Sequence, residues 1–149
     1  MNAKSLMTKS PVCCTPDMTL SEVAGMLLDY DCGALPVVDD LTSLHPVGII
    51  TDRDIAIRCV AKRLDANSTT AREVMSTPVL TVTEKASLDT CCSEMESHQV
   101  RRIVVVDKDG RCCGLIAQAD VARSASDKLA GEVIKRISEP RTSTLGSSH

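Results

Sequence analysis

Two stretches of the chain place apolar residues three or four positions apart, the spacing that gathers side chains on one face of an α-helix. The first predicts a helix from Leu20 to about Tyr30, with Thr19 as its N-cap and Glu22 three residues further on. The second predicts a matching helix that begins at Leu88. The apolar positions are Leu20, Val23, Ala24 and Leu27 in the first stretch, and Leu88, Cys91, Cys92 and Met95 in the second.

Short runs rich in valine and isoleucine predict buried strands beside these helices. The predicted strands cover residues 12–14, 34–38, 46–50, 102–106 and 112–116. Two further helices are predicted at residues 52–64, with Ile55, Ala56, Cys59 and Val60 inward, and at residues 118 to about 130. A last amphipathic segment carries Val133, Ile134 and Ile137, and a disordered tail is expected at its end.

The chain contains one unit twice. Leu35-Pro36-Val37-Val38-Asp39 returns 68 residues later as Ile103-Val104-Val105-Val106-Asp107, and Gly48 returns as Gly114 at an offset of 66. Each unit reads strand, helix, strand, strand, helix, which predicts an α+β fold. A unit of about 60 residues buries its apolar face poorly alone, so the two should pack together as a pseudo-twofold pair. The predicted boundaries are 1–68, 69–138 and, for the tail, 139–149.

Composition narrows the range of functions. Of the 149 residues, 43% are apolar, Tyr30 is the one aromatic residue, and the formal net charge is −3. A protein without a basic surface or stacking rings is not expected to bind nucleic acid. No apolar run approaches the roughly 18 residues of a membrane span, and the N-terminus lacks a signal-peptide core. We therefore expect a cytoplasmic protein that does not insert into membranes.

The eight cysteines mostly align with small apolar residues of the other unit, which indicates core packing. Three adjacent pairs lack the C-x2-C spacing of zinc sites, so no metal is expected. The adjacent pairs are Cys13-Cys14, Cys91-Cys92 and Cys112-Cys113. A thiol-based redox role is kept as a minor alternative.

The most informative stretch is the junction at the end of each unit, where a strand runs directly into a helix. An aspartate follows the junction glycine by six residues in both copies, as Asp54 and as Asp120. The first turn of a helix stabilises anions, so each junction is a candidate polar ligand site. Thr51 and Asp54 also fit a capping box, which would satisfy backbone donors and do nothing more.

The order of these motifs resembles the CBS-domain family, whose domains pair as a Bateman module. The motifs that carry the resemblance are Gly33-Ala34-Leu35-Pro36-Val37, Thr51-Asp52-Arg53-Asp54-Ile55 and His98-Gln99-Val100-Arg101-Arg102. The chain is similar to small bacterial proteins that consist of one stand-alone pair of CBS domains. The resemblance implies a regulatory, energy-sensing role in which AMP, ADP, ATP or S-adenosylmethionine binds in the cleft between the units.

The resemblance also implies roles for individual residues. Asp54 and Thr51 would hold the ribose and phosphate in one pocket, and Asp120 would serve the other pocket. In the strongest form of this expectation, both carboxylates bind one ribose. Ala117 departs from the expected Thr or Ser and puts phosphate binding there in doubt. By strand alternation, only one of Arg101 and Arg102 should line the cleft. The full predicted ligand set is Cys14, Thr15, Ala34, Thr51, Asp52, Arg53, Asp54, Val82, Thr83, Arg101, Arg102 and Asp120.

No motif supports catalysis, because the chain has no nucleophile elbow, no HExxH and no P-loop. The sequence therefore predicts a binding module that signals to an unidentified target protein and forms a homodimer, as such pairs commonly do. The alternatives are a ligand-independent adaptor and a thiol sensor.

Overall fold

Helices and strands follow one another in an order that occurs twice, as predicted. The computed structural model describes residues 1–124 and 127–138. In the first repeat and the segment before it, the elements are α1 (Ala3–Leu6), β1 (Thr8–Lys9), α2 (Leu20–Asp29), β2 (Ala34–Val38), β3 (Pro46–Thr51), α3 (Asp52–Ile55) and a π-helical segment (Ala56–Val60). They continue with α4 (Ala71–Val74), β4 (Thr81–Thr83), α5 (Leu88–His98), β5 (Arg102–Val106), β6 (Cys112–Ala117), α6 (Gln118–Ser124) and α7 (Asp127–Ser138).

The sheets of the two repeats are built on the same plan but differ in extent. Four strands in the order β1-β6-β5-β4 form the second sheet, whereas β2 and β3 pair as a hairpin in the first. The predicted strand at residues 12–14 is wrong, since the chain there makes one isolated bridge from Cys14 to Val37. In the second sheet, Val104 donates its N–H to the Leu80 carbonyl at 3.1 Å. Pro36 stands at the equivalent position and has no N–H to donate, which shortens the first ladder.

Each repeat contains the N-terminal segment of the other. The Ala3 N–H donates to the Ala86 carbonyl at 2.8 Å, and 68 residues later the Ala71 N–H donates to the Met18 carbonyl at 2.9 Å. Helix α1 therefore docks on the second repeat, and helix α4 docks on the first. The sequence predicted that the repeats pack together but did not predict this reciprocal exchange.

A glycine within β3 and another within β6 permit the exchange. A Cβ atom on Gly48 would lie 3.1 Å from the Ser76 carbonyl oxygen, and one on Gly114 would lie 2.9 Å from the Met7 Cβ. Both contacts are tighter than a side chain tolerates. The junction glycines thus allow the exchanged segments to cross close to the strands.

Two large cores result, each assembled from both halves of the chain. The core of the first repeat combines Ala71 and Val74 with residues of α2, β2 and β3, and the core of the second combines Ala3 and Leu6 with residues of α5, β5 and β6. These four exchanged residues are between 0% and 5% exposed. Neither core is complete without the segment that the other repeat donates.

The helix predicted at residues 52–64 is shorter and wider than expected. It begins as α3 and continues as a π-helical turn, in which the Ala61 N–H donates to the Ala56 carbonyl five residues back. Because a π turn holds more residues than an α turn, the inward face is displaced. Cys59 is buried as predicted, whereas Ala56 and Val60 are exposed.

The C-terminal helix α7 covers part of the second repeat. Val133 and Ile137 enter its core, and Arg136 forms an ion pair with Glu96 at 2.9 Å. Of the helix predicted from residue 118 to about 130, α6 covers Gln118–Ser124 and α7 begins at Asp127, while residues 125 and 126 and the predicted tail lie outside the described residues. Across residues 1–124 and 127–138, the helices are too short or too polar to span a bilayer.

Candidate functional site

A cavity of about 570 Å³ lies where the first repeat meets the second. Three segments form its wall: the β3–α3 junction, the residues that follow α4, and the chain from the end of α5 into β5. The lining residues are Ile49, Thr51, Arg53, Asp54, Arg58, Met75, Ser76, Thr77, Pro78, Val79, Leu80, His98, Val100, Arg101, Arg102 and Val104. Its volume is within the roughly 300 to 1,000 Å³ typical of small-molecule sites.

Asp54 occupies the inner wall of this cavity and is 8% exposed. Its Oδ2 accepts the Thr51 N–H at 3.0 Å, and the Thr51 Oγ1 accepts the Asp54 N–H at 3.0 Å. The capping box foreseen in the sequence is therefore present. Asp54 nevertheless lines the cavity as well, so capping and ligand contact are compatible at this residue.

The second carboxylate oxygen of Asp54 has only long contacts. The Ser76 Oγ lies 3.5 Å from Oδ1, at the limit of a hydrogen bond, and the Arg58 Nε lies 3.9 Å away. Arg58 is occupied elsewhere, because its Nη1 donates to the Val74 and Met75 carbonyls at 3.1 and 3.2 Å. Oδ1 therefore retains capacity to accept a strong hydrogen bond from a ligand hydroxyl.

Positive charge dominates the cavity. Four arginines line it, whereas Asp54 is the acidic residue among the lining side chains. Arg58 is fixed by the backbone carbonyls, while Arg53 and Arg101 are exposed. Exposed guanidinium groups are free to turn toward an anion and can bind two of its oxygens at once.

Arg101 and Arg102 both line the cavity, so the expectation that strand alternation admits only one of them is wrong. Arg101 precedes β5, and alternation applies only within the strand. A Cβ on Gly33 would lie 3.2 Å from the Arg102 Nη2 and 3.5 Å from the Asp52 Oδ2. Asp52 thus lies beside the Arg102 side chain and does not itself line the cavity.

The second junction aspartate has different surroundings. Asp120 is 7% exposed, and its Oδ2 accepts the Ala117 N–H at 2.7 Å, which repeats half of the capping box. Its Oδ1 pairs with the Arg123 guanidinium. Asp120 does not line the cavity that contains Asp54, so the expectation that both carboxylates grip one ribose is wrong.

Five further residues of the predicted ligand set lie outside this cavity. Cys14 and Val82 are core residues of the first and second repeat, and Ala34 is buried in β2. Thr15 is half-buried and Thr83 is exposed at the end of β4. The cavity is lined instead by residues that precede β4, Val79 and Leu80.

The residues that sequence reasoning missed belong mostly to the exchanged segment. Residues 75–80 reach the cavity because Ser76 pairs with Ile49 across the repeats. Hydrophobic periodicity reports which face of an element is buried, but it does not report on which repeat a segment docks. The repeat alignment offered no signal for this placement.

Metal binding has no structural support in the part of the chain described. Within residues 1–124 and 127–138, no three His, Cys, Asp or Glu side chains are close enough together to hold a metal ion. All eight cysteines are free thiols.

Comparison with known proteins identifies the fold. The CBS-domain family model matches residues 3–60 and 71–127. Hypoxic response protein 1 of Mycobacterium tuberculosis is 35% identical over 93% of this chain and 94% of its own. A crystal structure of Hypoxic Response Protein I with two coordinated zinc ions has a TM-score of 0.74 at 34% identity, covering 85% of this chain and all of that one. The CBS domain pair of MJ0100, solved with 5'-methylthioadenosine and S-adenosyl-L-methionine, has a TM-score of 0.72 at 28% identity, with coverages of 83% and 98%.

Proposed function

This chain belongs to the CBS-domain family, with two copies of the domain in tandem, and from that premise we propose that it is a non-catalytic regulatory module that binds an adenine nucleotide in the cavity beside Asp54. One observation carries the proposal. Asp54 is buried, reaches the cavity, and has one carboxylate oxygen with no short hydrogen bond. A ribose hydroxyl would donate to that oxygen, and a charged acceptor makes such a bond stronger than a neutral one.

The arginines favour a ligand that carries phosphate. Arg53, Arg101 and Arg102 line the cavity together with the fixed Arg58. Their positive charge is offset by the negative charge of Asp54. Phosphate oxygens match the fork of a guanidinium group, whereas the sulfonium of S-adenosylmethionine would add a positive charge to a positive site. This balance supports AMP, ADP or ATP over S-adenosylmethionine.

The apolar part of the wall is suited to a purine. Ile49, Val79, Leu80, Val100 and Val104 supply aliphatic surface, and the cavity offers no aromatic ring for stacking. The base would slot between aliphatic side chains, as ligands do in apolar pockets with few polar groups. A modest affinity is expected, with Kd between about 1 μM and 1 mM, which suits a sensor of abundant nucleotides.

Calorimetry with adenosine, AMP, ADP, ATP and S-adenosylmethionine tests the proposal. We expect the nucleotides to bind at least about tenfold more tightly than adenosine or S-adenosylmethionine, the equivalent of about 1.4 kcal/mol. Asp54→Asn keeps the shape of the side chain but removes its charge, and should weaken nucleotide binding by about tenfold or more. The absence of heat and of a thermal shift with every nucleotide at millimolar concentration would reject the proposal.

Asp120→Asn is the matched control for Asp54→Asn. It alters the equivalent capping bond in the second repeat, but Asp120 does not line this cavity. Equal loss of nucleotide affinity in both variants would indicate that Asp54 acts through capping and folding. The proposal requires that Asp54→Asn alone weakens binding in this cavity.

A ligand can signal only by favouring one arrangement of the protein over another, and packing between two copies is the arrangement proposed here. Leu28, Ile57, Val60 and Leu64 are exposed apolar residues on or after the helices of the first repeat. The repeat alignment places Glu96 at the position equivalent to Leu28 and Arg123 at the position equivalent to Ile57, so the second repeat carries charged residues at these two positions. Apolar exposure of this kind is typical of a surface that associates with another protein surface.

Sedimentation tests self-association directly. The chain is expected to sediment as a homodimer, and Val60→Glu should shift it to a monomer because it places a charge in the apolar contact. Leu41→Glu is the matched control, since Leu41 is 56% exposed but lies in the β2–β3 loop. A monomeric wild-type chain, or equal effects of both variants, would instead support a ligand-regulated surface for a different target protein.

A further inference from the structure

A third and smaller core cluster lies between the repeats. Its buried members are Cys13 and Val38 of the first repeat and Val104 and Cys112 of the second. Cys112 opens β6, where its N–H donates to the Leu44 carbonyl at 2.8 Å. That bond ties the start of β6, and with it Cys112, to the β2–β3 loop of the other repeat.

The two thiols are buried in this one cluster, and each is the largest influence on the pKa of the other. The Cys13 Sγ lies 3.4 Å from the Pro11 carbonyl oxygen. The Cys112 Sγ lies 3.9 Å from the Gly114 carbonyl oxygen. Both residues come from different repeats and are far apart in sequence, so a covalent bond between them would cross-link the halves of the molecule.

The contact makes the two sulfurs chemically unequal. Interaction with the Cys112 side chain lowers the pKa of Cys13, and interaction with Cys13 together with burial raises the pKa of Cys112. Burial raises the pKa of neighbouring Cys14 to about 12. Cys13 is thus the more readily deprotonated of the pair, and the thiolate is the nucleophilic form of cysteine.

We propose that Cys13 and Cys112 form an oxidant-dependent disulfide that links the two repeats. With a peroxide as oxidant, the Cys13 thiolate attacks one peroxide oxygen, the O–O bond breaks, and protonation of the leaving hydroxide gives water and a sulfenic acid. The Cys112 sulfur then displaces the hydroxyl group of the sulfenic acid, which leaves as water with the Cys112 proton. Two thiols are oxidised to one disulfide, and hydrogen peroxide is reduced to two waters.

Neighbouring cysteines elsewhere in the chain are poorer candidates for a bridge. Cys91 and Cys92 are adjacent in α5, and burial raises the pKa of both thiols. Adjacent Cα atoms are about 3.8 Å apart, which is less than the roughly 4.4 to 6.8 Å that an unstrained disulfide spans. The pair between the repeats is free of that constraint.

Peptide mapping of the full chain tests the bridge. The protein is incubated with hydrogen peroxide, its remaining thiols are alkylated, and it is digested with trypsin without reduction. Trypsin releases residues 10–53, with Cys13, Cys14 and Cys32, and residues 112–123, with Cys112 and Cys113. We expect these two peptides to appear as one cross-linked species, with fragment ions that place the bond at Cys13 and Cys112.

Matched variants assign the bond within each peptide. Cys13→Ser and Cys112→Ser should each abolish the cross-link, whereas Cys32→Ser and Cys113→Ser, which remove half-exposed thiols from the same peptides, should retain it. The fragment ions of the wild-type species give the assignment even if a variant folds poorly. A wild-type chain that yields no cross-linked species, or one whose bond maps to other cysteines, overturns the proposal. Neither result depends on whether a nucleotide binds.

Discussion

Asp54 and Asp120 hold equivalent positions, yet their neighbours leave their carboxylates with different capacities to accept a further hydrogen bond. The Asp54 Oδ1 has only the Ser76 hydroxyl at 3.5 Å and the distant Arg58 Nε, whereas the Asp120 Oδ1 is paired with Arg123. A carboxylate already paired with a guanidinium must exchange that partner before it can accept a ligand hydroxyl. The first junction therefore has the more available acceptor for the ribose of the proposed nucleotide, although the motif occurs in both copies.

Asp39 gives the loop after β2 a pH dependence. A hydrogen bond from the Ser43 hydroxyl is the largest cause that lowers its pKa from 3.8 to about 2, and the Asp40 and His45 N–H groups add to it. A carboxyl whose pKa is lower in the folded state stabilises the fold above pH 3.8 and loses that effect as the pH falls toward 2.

Asp39→Asn should therefore lower the Tm at neutral pH, and its difference from wild type should vanish between about pH 4 and pH 2. Thermal unfolding followed by circular dichroism across this pH range measures the effect. Asp31→Asn, at an exposed turn, is the control and should follow the wild-type profile. A constant difference from pH 7 to pH 2 would contradict an ionic contribution from Asp39.

At the scale of single residues, the sequence predicted the cavity residues of the junction and of the segment before β5, but not those near β4. Thr51, Arg53, Asp54, Arg101 and Arg102 were predicted and do line the cavity. The prediction of Val82 and Thr83 missed by three positions, because Val79 and Leu80 line the cavity while Val82 is buried in the core and Thr83 is exposed. Spacing between motifs predicted which junction residues line the cavity, but the position of the residues before β4 depends on contacts with the other repeat.

Among the elements, the exchanged helices connect the halves of the molecule. Helix α1 has only four residues, and α4 has the same length, so neither could persist without tertiary contacts. Leu6 is 5% exposed in the second core and Val74 is 2% exposed in the first. The stability of these two helices, and of the repeats that they complete, therefore depends on contacts between the two halves of the chain.

Leu6→Ala should loosen the second repeat, and its counterpart Val74→Ala should loosen the first. The Leu6 change is expected to cost about 2 to 4 kcal/mol of unfolding free energy because it leaves a cavity in a packed core, and the Val74 change somewhat less. Hydrogen exchange measured by mass spectrometry should show faster exchange in α5 and β6 for Leu6→Ala, and in α2 and β3 for Val74→Ala. If each variant instead loosened the repeat that is nearer in sequence, the exchange would be wrong.

The sequence predicted elements well wherever side-chain periodicity determined them. The helices predicted to begin at Leu20 and Leu88 appear close to their expected bounds. So do the strands predicted at residues 34–38, 46–50, 102–106 and 112–116. Two features were missed for backbone reasons that periodicity does not report. Pro36 lacks the N–H that would extend the first ladder, and the π-helical turn after α3 moves Val60 from the core to the surface.

At the scale of the whole molecule, reciprocal exchange makes the two repeats one folding unit. Each repeat has about 60 residues of its own and lacks part of its core until the other is in place. The small cluster around Cys13 and Cys112 adds a third contact, and its member Val104 also lines the cavity. The cavity therefore lies beside the surface at which the two repeats pack together.

The buried thiols offer a way to measure this cooperativity residue by residue. Cys14 and Cys59 are fully buried in the first repeat, and Cys91 is fully buried in the second. Brief alkylation at increasing urea, read by mass spectrometry, should show all three becoming reactive at one midpoint, because opening either repeat removes core residues from the other.

Half-exposed Cys32 and Cys113 serve as internal controls, since they should react before the transition and prove that the reagent is active. Two separated midpoints, one for Cys14 and Cys59 and another for Cys91, would mean that the repeats unfold independently. In that case the exchanged helices contribute little stability, and a ligand held between the repeats would act on their orientation rather than on their folding. A single midpoint that rises with added nucleotide would instead place ligand binding and the joint fold of both repeats in one equilibrium.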